Sequence, residues 1–126
     1  MPESPNILLF GLDHSLTHTR GLLLSRAGFK VRAVENLADF ELKGDLLAPD
    51  VVVLCHTLSV EECARALELA EARWPTTRRL VLTTGTTPIP ERAQRDAMEA
   101  AVGPGMLIAQ VLHLAGSPAN SYARTS

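Results

Sequence analysis

A chain of 126 residues suits one compact domain around one core. Hydrophobic residues at 46 % and charged residues at 21 % fit an ordinary globular fold, and a formal net charge of −2 excludes an electrostatic footprint for nucleic acid or an anionic membrane surface. The apolar runs are too short to span a bilayer, and two cysteines without a framework spacing suit a reducing, cytoplasmic setting.

Residues 1–5 read as a polar lead-in. Asn6 to Phe10 is a short buried strand, broken by Gly11. A helix follows from Ser15 to Ala27, with Leu16, Leu23, Leu24 and Ala27 on its apolar face and Gly28 just past its end. Phe29 to Val34 alternates as an edge strand. Asn36 caps a short helix that Gly44 is expected to end. Asp50 to Cys55 is an unbroken apolar strand, the pattern of a strand covered on both faces.

Ser59 and Glu62 form a capping box for a third helix, whose apolar face is expected to carry Cys63, Ala64, Leu67 and Ala70 before Trp74-Pro75 closes it. Leu80 to Thr83 is a fourth strand. The stretch Thr86–Pro90 is irregular, and Glu91–Arg95 allows only a shortened fourth helix. Ala97 to Val102 makes a fifth strand. Pro104 opens a last helix with Leu107, Ile108, Val111, Leu112 and Ala115 on one face, and residues 116–126 read as a disordered tail. Alternating strands and helices of this size predict an α/β, flavodoxin-like three-layer sandwich. Its five-stranded parallel sheet has the order 2-1-3-4-5 over residues 6–115. In such a sheet, ligands sit at the carboxyl ends of strands one and three, here Gly11–His14 and Cys55–Leu58.

From Asn6 to Ala115 the chain resembles the receiver (CheY-like) domain of bacterial response regulators. The resemblance rests on Asn6-Ile7-Leu8-Leu9-Phe10, on the join from Leu22 through Ala27-Gly28-Phe29 to Val31, on Pro49-Asp50-Val51-Val52-Val53-Leu54, and on Leu80-Val81-Leu82-Thr83. It implies a site of two metal-binding acids, an acceptor Asp, a hydroxyl and a Lys. Metal and cation there neutralise charge on a transferring phosphoryl group. The acidic positions fall on Gly11 and Leu12, with Asp13 one place later. The acceptor position is Cys55, Thr83 keeps the hydroxyl, and the Lys position falls at Gly103. Four of the five groups are thus replaced. The expectation is a pseudo-receiver: a stand-alone, non-enzymatic two-component module without cofactor, acting by contact with a kinase, an effector or a second copy of itself.

Two alternatives use the same edge. Cys55 could serve a thiol-based redox or small-ligand sensor if a neighbouring cation or base lowered its pKa, and phosphotransfer could persist with Asp13, Asp50 or a hydroxyl as substitute acceptor. His14, His18 and His56 are weak metal candidates: His14 and His18 stand four apart, so a helix would put them on one face. The ordinary reading of Cys55 is a small apolar residue at a strand end.

Overall fold

The computed structural model describes residues 4–84, 97–99 and 103–116. The elements are β1 (Asn6–Phe10), α1 (His14–Arg26), β2 (Lys30–Val34), α2 (Leu37–Leu47), β3 (Val51–Leu54), α3 (Val60–Arg73), β4 (Arg78–Thr83), β5 (Ala97–Glu99) and α4 (Pro104–Ala115). The strands pair in parallel in the order β2-β1-β3-β4-β5, with β1 to β4 forming the body of the sheet and three-residue β5 added at its edge. Of the fifth strand expected over Ala97–Val102, the described part is thus Ala97–Glu99. The segment assigned to the shortened helix, the Thr86–Pro90 stretch, residues 1–3 and residues 117–126 lie outside the described residues.

Strand alternation divides the core into two halves. Leu8, Phe10, Val52, Leu54 and Val81 face α2 and α3, meeting Phe40, Ala66, Leu67, Ala70 and Trp74. Ile7, Leu9, Val51, Val53, Leu80 and Leu82 face the other way, meeting Leu24, Leu107 and Val111 of α1 and α4. Every residue of β3 is fully buried, which explains its continuous apolar run. No helix among the described residues is long and apolar enough to cross a membrane.

Local signals act where they are expected. Ser59 Oγ accepts from the Glu62 amide while Glu62 Oε1 accepts from the Ser59 amide, closing the capping box of α3. Gly28, at φ 105°, carries the chain out of α1 in a conformation that side chains disfavour.

Packing corrects four readings. α2 does not end at Gly44 but runs to Leu47, because Gly44 is an interior contact: a Cβ there would come within 2.1 Å of the Trp74 ring. Trp74 closes over that gap and donates its indole N–H to Asp45 at 2.9 Å. Arg73 also pairs with Asp45, and these two bonds, the Arg73 one foremost, hold that carboxyl below its usual range. On α3 the buried set is Cys63, Ala66, Leu67 and Ala70, so Ala66 takes the inward place expected of Ala64. On α4, Leu107 and Val111 are buried, whereas Leu112 faces outward at 58 % exposure. On α1 the inward residues are Thr17, Arg20 and Leu24. The stripe expected to include Leu16, Leu23 and Ala27 is rotated, with Leu16 and Leu23 half-buried and Ala27 exposed.

Candidate functional site

β1 and β3 lie side by side and end together, so Gly11–His14 and Cys55–Leu58 meet at the carboxyl edge as expected of an open parallel sheet. The Cys55 amide donates to the Phe10 carbonyl at 2.8 Å, and the Leu12 amide donates to Thr57 Oγ1 at 2.9 Å. These two bonds hold the post-strand loops against each other.

Gly11 is buried in the closest part of this contact. A Cβ at residue 11 would stand 2.5 Å from Thr17 Oγ1 and 3.0 Å from both Cβ and Sγ of Cys55. There is accordingly no room for a carboxylate at residue 11 unless its neighbours move. Leu12 is exposed at 43 %. Asp13 is the N-cap of α1, its Oδ1 accepting from the Leu16 amide at 3.0 Å. At the far side of the edge, Thr83 ends β4 with its hydroxyl donating to the Thr84 carbonyl at 3.0 Å. Gly103 stands just before α4 at φ 99°, where a Cβ would meet nothing within 4 Å.

Cys55 continues the inward alternation of Val51 and Val53 into the core half under α1, and it is only 3 % exposed. Burial pushes its thiol pKa up, while the nearby Arg20 charge and the Arg20 and Thr17 donors pull against that rise. Cys63 lies in the opposite core half, so the sheet separates the two free thiols; burial pushes the Cys63 pKa up to about 11. Both thiols should therefore label slowly with iodoacetamide in folded protein at neutral pH and rapidly after denaturation. Fast labelling of Cys55 in the native state would revive the reactive-thiol reading.

The three candidate histidines do not converge. α1 begins at His14, so His14 and His18 share a face, and their rings lie 6.1 Å apart and nearly parallel. His14 pairs instead with Glu35, a bond that raises its pKa. His56 stands apart, with Nδ1 3.4 Å from Arg20 Nη2. No group of three His, Cys, Asp or Glu side chains able to hold a metal gathers among the described residues.

Sequence reasoning misses the two residues that shape the buried floor of this edge, Thr17 and Arg20. They are 2 % and 8 % exposed, and both lie on the inward face of α1 with Leu24. The available signal is their spacing: positions 17, 20 and 24 form one helical stripe ending in a leucine. Because β3 ends at Leu54, strand alternation no longer separates Cys55 from His56, and both lie close to Arg20.

Comparison with solved structures places this geometry. The receiver domain of a sensor histidine kinase from Pseudomonas aeruginosa PAO1, solved with a magnesium ion coordinated in its active-site cleft, matches with a TM-score of 0.77 at 16 % identity, over 90 % of this chain and 99 % of that one. The chemotaxis response regulator CheY4 of Vibrio cholerae matches with a TM-score of 0.74 at 16 % identity, over 88 % and 98 %. A response regulator receiver protein from Sinorhizobium medicae WSM419 matches with 0.71 at 20 % identity, over 91 % and 97 %. The fold is the receiver fold. No protein-family model matches the chain, and no curated protein does. The receiver likeness is therefore one of architecture, and the chemistry of this edge has to be argued from its own side chains.

Proposed function

We propose that this receiver-fold chain is a signalling module of the two-component type that has lost aspartyl phosphorylation and acts by protein–protein contact, not as an enzyme. The observation that carries the reading is the packing at residues 11 and 55. A buried thiol stands at residue 55, the position that the receiver resemblance gives to the acceptor, and the adjoining glycine is too enclosed for an added acid unless its neighbours move. Two hard carboxylates are what a magnesium ion would need there; Leu12 offers none, and Asp13 spends an oxygen on its helix cap. Asp50 lies before β3 at the amino edge, accepting from the Asn6 amide at 2.8 Å, far along the strand from Cys55.

Contact with a protein partner, or with a second copy of the chain, is supported by the outward side of α4. Met106 is 56 % and Leu112 58 % exposed on this helix, which carries apolar side chains into solvent at two separate points while its Leu107 and Val111 pack on the sheet. The redox-sensor alternative is weakened by the same burial that removes Cys55 from solvent.

Incubation with a small phosphoryl donor and magnesium, followed by intact mass measurement, tests the proposal. The mass should stay unchanged. A stoichiometric gain of one phosphoryl group would overturn it, and mapping that group to Asp13 or Asp50 would identify a substitute acceptor.

A further inference from the structure

The floor of the carboxyl edge holds a cation that has no counter-ion among the described residues. A guanidinium stays charged throughout the physiological range, and Arg20 is more than nine-tenths buried. Among the described residues no carboxylate pairs with it. Among the described residues its Nη1 is buried without an oxygen or nitrogen partner, and so is Thr17 Oγ1 one helical turn earlier; the neighbouring Cys55 thiol, a weak partner, is what these donors have beside them. Native proteins leave few such groups unsatisfied, and buried charges are normally paired.

The groups around Arg20 do not supply the missing negative charge. Its contact to His56 Nδ1, at 3.4 Å, is long for a charge-assisted bond. Burial and the Arg20 charge hold that imidazole toward its neutral form. Burial of Cys55 likewise outweighs the pull of Arg20 and Thr17 toward a thiolate. A water molecule could satisfy the hydroxyl but would leave the charge unbalanced.

We propose that Arg20 Nη1 and Thr17 Oγ1 form a binding site for a small oxyanion at the carboxyl edge, entered when the half-buried His56 ring turns outward. The two donors lie on one face of α1 and both reach the Cys55 thiol, so a single acceptor group beside that thiol can meet both. His56 gives up only a long contact when it leaves, and the entering anion replaces it as the partner of Arg20 with a stronger bond. Cys55 and Gly11 close the floor beneath. The inference stands on this cluster alone and holds whether or not the module has lost phosphotransfer.

Thermal unfolding of the full chain in phosphate, sulfate or acetate, each against chloride at matched ionic strength, provides the test, with calorimetric titration of inorganic phosphate alongside. A saturable rise in Tm is expected for at least one oxyanion. A response to phosphate and sulfate alone marks a tetrahedral ligand, whereas an equal response to acetate marks a carboxylate. Arg20→Gln should lose roughly tenfold or more in affinity, the loss of one charge-assisted bond. Thr17→Val should weaken binding, and His56→Ala should preserve or strengthen it. Amide chemical-shift changes on phosphate addition to the unmutated chain, centred on Thr17, Arg20 and His56, would support the site even if Arg20→Gln failed to fold. A Tm that follows chloride, an equal rise in Arg20→Gln, or shift changes confined to other residues would overturn the proposal.

Discussion

Phe40→Ala is expected to lower the unfolding free energy by about 3–5 kcal/mol, the range for emptying a buried aromatic site. Phe40 is fully buried and links three elements. Its ring stacks on Phe10 of β1 with centroids 5.1 Å apart, and it meets the edge of Trp74 at 5.3 Å. The aromatic contacts add to the apolar area lost. Collapse into the cavity is hindered on both sides, by the sheet at Phe10 and by Trp74, which is held by Asp45 and seated on Gly44. A domain of this size has only about 5–15 kcal/mol to lose. Urea unfolding followed by Trp74 fluorescence measures the change. A loss under about 1 kcal/mol would mean that the aromatic cluster is not a principal support of this core half.

Arg20→Met should act in the opposite direction. Replacing a buried charge by an apolar side chain of similar length is often neutral or stabilising by about 1–4 kcal/mol. Arg20 is a stronger case than a buried ion pair, since no carboxylate among the described residues balances it. Methionine keeps contacts like those of the arginine stem and adapts to an irregular space. The gain should appear in chloride buffer and shrink when a bound oxyanion stabilises the unmutated chain, because ligand binding to the native state adds to stability by mass action. Denaturant midpoints in the two buffers measure both effects. A loss of stability in chloride would show that Arg20 is already compensated in the native protein.

These two residues differ in how far their sequence context reveals them. Phe40 sits in the short helix that Asn36 caps, and it is of a residue type that is commonly buried. Arg20 looks like one more surface cation on a helix rich in polar residues. Its burial depends on the rotation of α1 against the sheet, which in turn depends on Gly11 letting Thr17 approach β1 and β3. The same holds for Gly44. Glycine is a common helix terminator in sequence terms, but here it is the hole that receives a tryptophan from thirty residues further along.

Sequence alone determined the elements whose signals are local. The all-apolar run Val51–Leu54 could only be a strand covered on both faces; the Ser59–Glu62 box set the start of α3; and Gly28 marked the exit from α1, since the hydrogen bonds and backbone angles involved span a few residues. The alternation of those elements then carried the parallel order of the sheet. Tertiary structure alone decided which side chains meet at the carboxyl edge. Thr17, Arg20, Cys55 and His56 come from two separate segments, and their burial and mutual contacts arise only when α1 settles over β1 and β3. Residue type could show a cysteine at the end of an apolar strand, but not that an arginine with no carboxylate partner among the described residues lay beside it.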